Sequence, residues 1–267
     1  MTRVLSGAVL IVIAVGMVWL APPWLFRAAA FGILLLCVTE LISLARAAGL
    51  HVPTWLPAIG ALVTLAAFGL GQPANSHSTP LAIILMVQVV AVSAASMAEW
   101  TPGHRGVLAD VAASLFPSLY LALPIGALVA IREVEGPPAL FLLMLTIIVS
   151  DSAQYYAGRL TGRRPLAPSI SPKKTVEGAI GGFVFGTLVF TVVGAWWLAR
   201  MPIALRLLLG LTLVASGIAG DLFESLLKRS ANVKDSAATI PGHGGVLDRL
   251  DALLFAAPVY YVVLQYV

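Results

Sequence analysis

The sequence predicts an all-α polytopic membrane protein with about nine transmembrane helices and a cytoplasmic N-terminus. Hydrophobic residues make up 60% of the 267 residues and charged residues only 10%, which is far outside the range of soluble domains. Apolar runs of about 20 residues, each long enough to cross a bilayer, recur along the whole chain. They cover residues 4–20, 26–45, 54–71, 80–99, 107–131, 138–157, 177–198, 204–227 and 246–266.

The distribution of basic residues predicts the orientation of these spans. With nine spans, one side of the membrane receives eleven basic residues, namely Arg3, Arg46, Arg105, Arg159, Arg163, Arg164, Lys173, Lys174, Lys228, Arg229 and Lys234. The other side receives four, Arg27, Arg132, Arg200 and Arg206, while Arg249 begins the last span. The positive-inside rule therefore predicts a multi-pass protein of the cell inner (cytoplasmic) membrane. Its first span is expected to be a retained signal-anchor.

Composition also argues against several classes of function. The lone Cys37 lies inside the second span, so it excludes an intramolecular disulfide and gives no indication of a cysteine metal site. The basic residues lie in membrane loops without interleaved aromatic residues, which argues against nucleic-acid binding. The net charge of +4 suits anionic lipid head groups.

The chain divides into two regions. Residues 1–135 are hydrophobic helices with short loops, expected to form a lipid-facing scaffold and to supply a dimer contact, and residues 136–267 carry almost all the polar chemistry. Glu40 and Asp110 are the acids placed inside spans of the first region, and both are expected to be packing or interfacial carboxylates. Glycines at 178, 182 and 186, and at 210, 217 and 220, predict close helix packing.

The most informative stretch is 225–251, which gathers eight ionisable residues in an apolar chain: Lys228, Arg229, Lys234, Asp235, His243, Asp248, Arg249 and Asp251. Helical spacing places Asp221, Glu224, Ser225 and Lys228 on one stripe. A carboxylate in a bilayer is costly unless it is paired, hydrated or bound to metal. Structural ion pairs explain one or two of these acids. The concentration of acidic and basic side chains at one depth in the membrane indicates a functional site.

Three helices bring acids to the same depth. Asp151 lies eight residues before Arg159, Asp221 lies seven residues before Lys228, and Asp248 opens the last span. At about 1.5 Å per residue these carboxylates lie within roughly 10 Å of the cytoplasmic interface. The site is therefore predicted to face the cytoplasm. Zinc is not expected there, because His243 has no cysteine or second histidine nearby, whereas clustered carboxylates favour Mg²⁺.

Two loops flank this site. His243, Gly244 and Gly245 lead into the last helix, where backbone N–H groups favour an anion, although an ordinary turn explains them equally well. The loop after residue 158 carries five basic residues, Arg159, Arg163, Arg164, Lys173 and Lys174. Its prolines predict a shaped loop. Lys173 and Lys174 suit a phosphate clamp, and binding to anionic lipid is the alternative.

The stretch from Ser225 to Asp251 resembles the signature of the phosphatidate cytidylyltransferases, also called CDP-diacylglycerol synthases. That signature reads S-x-x-K-R-x4-K-D, a short spacer, and H-G-G-x-x-D-R-x-D. Its eleven fixed positions are Ser225, Lys228, Arg229, Lys234, Asp235, His243, Gly244, Gly245, Asp248, Arg249 and Asp251. A second block, Asp151…Tyr155…Gly158-Arg159 and Ser171-Pro-Lys-Lys-Thr…Glu177-Gly178, is also similar to the family. It departs at Val176 and at Ala153-Gln154, which affects substrate fit more than reaction type.

The resemblance implies a homodimeric membrane enzyme that condenses CTP with phosphatidic acid, with Mg²⁺ and with room for a second cation. We assign the metal to Asp221, Asp248 and Asp251, with Asp151 in support. Phosphate binding is assigned to Ser225, Lys228, Arg229, Lys234, Arg249, Lys173 and Lys174. Leaving-group contacts are assigned to His243 and the backbone of Gly244 and Gly245. The catalytic group is thus Asp221, Asp248, Lys228 and His243.

Three other functions are compatible with parts of the sequence. A CTP-dependent kinase of a polyprenol or phytol would also use Mg²⁺, but it would need a positioned general base. A cation-coupled transporter would place its acids near the midplane, within inverted repeats. A family member without activity is disfavoured by the intact Asp221, Asp248 and Lys228.

Overall fold

The computed structural model describes residues 2–68, 80–233, 236–237 and 244–266, and it is predominantly helical. Its ten α-helices are α1 (Thr2–Trp19), α2 (Pro23–Ala47), α3 (Trp55–Phe68), α4 (Pro80–Glu99), α5 (Val107–Pro117), α6 (Leu123–Ala130), α7 (Pro137–Thr161), α8 (Val176–Trp197), α9 (Ile203–Ser230) and α10 (Leu247–Leu264). Two π-helical turns, Ser118–Ala122 and Ile131–Glu135, join α5 and α6 into one continuous stretch.

Each predicted span coincides with one helical segment of the described chain. Six segments are long and apolar enough to cross a membrane: Pro23–Ala47, Leu81–Glu99, Val107–Glu135, Pro137–Thr161, Val176–Trp197 and Ile203–Ser230. The apolar helix α3 has 14 residues, and three of the first five residues of α10 are charged. The multi-pass helical architecture is therefore confirmed, whereas the count of nine spans and the cytoplasmic N-terminus stay predictions.

The wide turn after α5 lies at a proline. Pro117 lacks a backbone N–H, so it cannot donate to the helical ladder, and π-helical geometry follows it directly. This turn buries Tyr120, which stacks on Phe116 at 4.9 Å and meets the edge of Phe223 at 5.4 Å. Phe223 in turn contacts Phe255 at 5.5 Å. The aromatic cluster therefore packs α5 and the π-turn against α9 and α10.

The glycine surfaces of α8 and α9 pack closely, as the sequence predicts. Gly178 and Gly182 face Gln154 on α7, and Gly186 faces Ser150. On α9, Gly210 faces Thr187 of α8, and Gly220 lies directly against the backbone carbonyl of Asp251 on α10. Because Gly220 has no side chain, α9 and α10 approach closely where they carry their acids.

The loop between α7 and α8 is shaped, as predicted, and contains two short β-strands. Strands β1 (Pro165–Ala167) and β2 (Ser171–Thr175) form an antiparallel pair. Thr175 caps α8 by accepting a hydrogen bond from the Gly178 N–H at 3.1 Å. The Glu177 carboxylate accepts from the backbone N–H of Arg163 at 3.0 Å. These bonds fix the hairpin on the end of the bundle.

The opposite end of the bundle is held by two arginines. Arg27 forms an ion pair with Glu133 at 2.6 Å. Buried Arg132 donates to the carbonyl oxygens of Val18, at 2.9 Å, and Ala21, which ties the α1–α2 connection to the stretch before α7. Arg27 and Arg132 were both predicted on the side opposite the acidic site, and the structure places them at one end.

Substitution Gly220→Ala is expected to lower the free energy of unfolding by about 1–3 kcal/mol, because the added methyl overlaps the Asp251 carbonyl and forces α9 from α10. Gly32→Ala on α2 is the matched control, because nothing lies within 4 Å of its added methyl. Thermal unfolding in detergent measures both variants. Equal unfolding midpoints would contradict the proposed close approach.

Candidate active site

A buried ion cluster connects α9 and α10. The Lys228 ammonium donates to Glu224 Oε2 at 2.7 Å and to Asp248 Oδ1 at 2.5 Å. The Glu224 and Asp248 side chains are only 1% and 9% exposed, and that of Lys228 is 13% exposed. Glu224 lies one helical turn before Lys228, so the helix itself aligns this pair. The cation offsets the cost of burying the two carboxylates in an apolar bundle.

Asp248 also organises the segment that enters α10. Its Oδ2 accepts hydrogen bonds from the Gly245 N–H at 2.8 Å and from the Ser236 hydroxyl at 3.0 Å. A carboxylate in the first turn interacts favourably with the helix N-terminus. Gly244 has a φ of +80°, in the left-handed region that glycine adopts readily, so the turn before α10 needs this residue. Both oxygens of Asp248 therefore contact protein donors.

Glu40 reaches the same segment from the first half of the chain. Its Oε1 accepts from the Val246 N–H at 3.0 Å, and its Oε2 accepts from the Leu247 N–H at 2.9 Å. The single proton of the Ser236 hydroxyl is shared between this Oε2, at 3.1 Å, and Asp248 Oδ2. Gly245 lies against this carboxylate, where a larger residue would overlap it. Glu40 thus satisfies N–H groups at the start of α10 that have no helical partner.

A second cluster of acids is more exposed. Lys174, on β2, forms an ion pair with Asp221 on α9, and their side chains are 22% and 32% exposed. Asp151 on α7 and Asp251 on α10 each lie within electrostatic range of both Asp221 and Lys174. Gln154 donates to Asp151 Oδ1 at 3.0 Å. Acids from α7, α9 and α10 therefore lie near one another, in agreement with the prediction that three helices bring acids to the same depth.

The remaining predicted residues have different positions. Lys173 is exposed and precedes Lys174 on β2, so the two side chains project to opposite faces. Arg229 is exposed and donates to the Ile170 carbonyl at 3.4 Å, while Ser225 is half-buried on α9. Arg249 is exposed in the first turn of α10. Lys234, Asp235 and His243 lie outside the described residues, so their predicted roles stay predictions.

Glu40 was predicted to be a packing or interfacial carboxylate, and its link to the α10 N-terminus was not predicted. The structure gives it a specific partner, the start of α10, which lies more than 200 positions further along the chain. The available signal was its isolation, since a carboxylate in an apolar span needs polar partners. Glu224 carried a clearer signal, because its spacing from Lys228 placed both on one stripe, yet it was left out of the predicted site.

The carboxylate cluster suits a hard divalent cation. Asp151, Asp221 and Asp251 carry carboxylate oxygens, the type of ligand that Mg²⁺ prefers, and Lys174 beside them carries the positive charge that suits a phosphate group. Asp221 and Asp251 are close because Gly220 permits the contact between their helices. An arrangement of this kind can hold a metal–phosphate complex and neutralise charge that develops during phosphoryl chemistry.

Comparison with known proteins identifies a family and several similar chains. A family model described as "Cytidylyltransferase family" matches residues 1–267. Similar chains include phosphatidate cytidylyltransferases of Aquifex aeolicus, 39% identical over 151 residues (57% of this chain, 56% of the relative), and Bacillus subtilis, 40% identical over 151 residues (55% of each). A third, from Helicobacter pylori J99, is 33% identical over 195 residues (72% and 67%). The chain spans about half the length of the first two relatives.

Removal of the Glu40 carboxylate is expected to destabilise the protein. Glu40→Ala leaves the N–H groups of Val246 and Leu247 and the Ser236 hydroxyl without this acceptor, at a cost of about 2–4 kcal/mol in unfolding free energy. Glu40→Gln, which keeps one acceptor oxygen, should lie between wild type and Glu40→Ala. The exposed Glu135→Ala is the control. Chemical unfolding in mixed micelles measures the unfolding free energy of each variant. An unchanged unfolding free energy for Glu40→Ala would contradict the assigned role.

Proposed function

The chain belongs to the cytidylyltransferase family, and on that premise we propose that it is a membrane-bound phosphatidate cytidylyltransferase. It condenses CTP with phosphatidic acid to give CDP-diacylglycerol and pyrophosphate. The observation that carries this proposal is the convergence of both motif blocks: Lys174 from the second block pairs with Asp221, beside Asp251 from the signature stretch. The relatives named phosphatidate cytidylyltransferases support the choice of substrates.

The reaction needs positioning and charge neutralisation. An oxygen of the lipid phosphate forms a bond to the α-phosphorus of CTP, while the bond from that phosphorus to the bridging αβ-oxygen breaks. Pyrophosphate leaves with the electron pair. The lipid phosphate is already a nucleophile, so no side chain has to remove a proton from it. Cations that hold both reactants in line supply most of the catalysis.

We assign these cations to two positions. Lys174 and Lys228 lie at the two carboxylate clusters and bind phosphate oxygens by exchanging carboxylate partners for them. Arg229 and Arg249, both exposed near the same end of the bundle, extend the positive surface for the triphosphate and the lipid phosphate. The predicted contributions of Lys173, Ser225, Lys234, His243 and the Gly244-Gly245 backbone remain part of the proposal.

Mg²⁺ would be held by Asp221 and Asp251, with Asp151 beside them. Bound there, it would neutralise charge on the triphosphate and orient the α-phosphorus. Asp248, which the sequence also assigns to the metal, contacts Lys228, Ser236 and Gly245. Asp248 can bind the metal only when Lys228 moves from Asp248 Oδ1 to a substrate phosphate. Until then Asp248 holds Lys228 and the start of α10 in position.

The experiment uses purified protein with phosphatidic acid, Mg²⁺ and CTP labelled separately at the α- and γ-phosphorus. A cytidylyltransferase transfers the α-label to the lipid phase and releases the γ-label as pyrophosphate. A CTP-dependent kinase, tested with a polyprenol, transfers the γ-label instead. If folded protein does not transfer the α-label from CTP to the lipid phase, the proposed reaction is rejected.

Substitutions in the exposed cluster should abolish that transfer. Asp221→Asn and Asp251→Asn each remove a proposed metal ligand, and Lys174→Ala removes a cation proposed to bind the phosphates, so each is expected to lower kcat by about 10²–10³-fold. Glu135→Gln and Arg200→Gln, exposed at the opposite end, are the controls for carboxylate and cation loss. Transfer that survives all three cluster variants would place the reaction elsewhere.

The active site is proposed to face the cytoplasm, in a nine-span protein of the cell membrane that works as a homodimer. The single Cys37 is buried, so added cysteines can report sidedness. An impermeant thiol reagent should label Arg163→Cys only in inverted vesicles and Arg200→Cys only in spheroplasts. The reverse pattern would contradict the orientation, and labelling of both from one side would contradict the span count. Cross-linking in native membranes tests the dimer.

A further inference from the structure

Three side chains in the first half of the chain, outside the candidate active site, have the composition of a metal site. His51 lies in the connection between α2 and α3, His104 lies in the connection between α4 and α5, and Asp110 lies in the first turns of α5. One ligand atom of each lies within 4.8 Å of the others. All three line a cavity of about 230 Å³ that also reaches Glu99 at the end of α4.

Hydrogen bonds hold the His104 imidazole and the backbone of His51 in place. Buried Asp110 accepts from the His51 backbone N–H at 2.9 Å and contacts His104 Nε2 at 2.7 Å. The imidazole rings are 5.0 Å apart between centroids and nearly perpendicular. Arg46 donates to the Val52 carbonyl at 2.7 Å and fixes the loop that carries His51. The ligands are thus preorganised by their connections.

An ordinary ion pair explains only part of this arrangement. His104 and Asp110 form such a pair, but the pair does not require a second imidazole. His51 is exposed at the cavity, and its ring lies against that of His104. Only the backbone N–H of His51 bonds to Asp110, so this hydrogen bond does not explain the position of the His51 ring. Two imidazoles with one carboxylate form a nitrogen-rich donor set, which selects Zn²⁺ over Mg²⁺.

We propose that His51, His104 and Asp110 bind one divalent transition-metal ion, with Zn²⁺ as the best match. Three protein ligands leave a fourth tetrahedral position for water. Asp110 serves either as the third ligand or as the carboxylate that orients the His104 ring, and both arrangements require the two histidines. The site lies at the end of α2 that also carries Glu40, so it is at the same end of the bundle as the start of α10.

The test is Zn²⁺ binding by the full chain in detergent, after removal of metals and in excess Mg²⁺. Competition with a chromophoric chelator should reveal one equivalent of tightly bound Zn²⁺. His51→Ala and His104→Ala should each weaken binding at least roughly 10-fold, whereas His77→Gln, the matched loss of a histidine at another position of the sequence, should not. Co²⁺ added to the wild type should give visible ligand-field absorption that His51→Ala loses.

Each result decides the proposal. Size-exclusion profiles show whether the alanine variants stay folded, and the exposed position of His51 makes His51→Ala the safest of them. If a variant does not fold, the wild-type Co²⁺ spectrum and stoichiometry decide. Wild type without one-equivalent Zn²⁺ binding, or binding that survives both substitutions, would overturn the site. Equal weakening by His77→Gln would also overturn it.

Discussion

The arrangement of the candidate site depends on the ion pairs of Lys228 in an apolar bundle. A cation in this setting needs carboxylate partners, and Glu224 and Asp248 supply them from two helices. Because one partner lies on α9 and the other on α10, the requirement for charge compensation also fixes the two helices together. Asp248 then uses its second oxygen to hold Gly245 and Ser236. Asp248 therefore both compensates the charge of Lys228 and holds the backbone before α10.

The first half of the chain takes part in this arrangement. Glu40 on α2 accepts hydrogen bonds from the N–H groups at the start of α10. The aromatic cluster around Tyr120 packs against α9 and α10. A region described as scaffold from its composition thus supplies a direct support for the candidate active site. We infer that its packing contributes to the geometry of phosphate binding, since displacement of α2 would remove the acceptor of the N–H groups at the start of α10.

Much of the fold was predictable because membrane helices carry a strong compositional signal. Every predicted span has a helix, and the acids of α7, α9 and α10 meet as their equal depth required. The partners of each charge were less predictable, since they depend on helix rotation and tertiary contacts. The spacing of Lys173 and Lys174 did not show which faces the acids, and the β-hairpin resolves this by strand alternation. The N–H groups that bond to Glu40 lie more than 200 positions away in the sequence, so no local sequence pattern could predict them.

A double-mutant cycle between Lys228 and Asp248 tests the central ion pair most directly. Lys228→Met, Asp248→Asn and the double variant would be compared with wild type by free energy of unfolding in mixed micelles. If the pair fixes α10 on α9, Lys228→Met leaves two buried carboxylates without their cation, and Asp248→Asn leaves Lys228 with Glu224 as its carboxylate partner. The coupling energy between the two substitutions should then be at least about 1.5 kcal/mol. Additivity within about 0.5 kcal/mol would contradict this account.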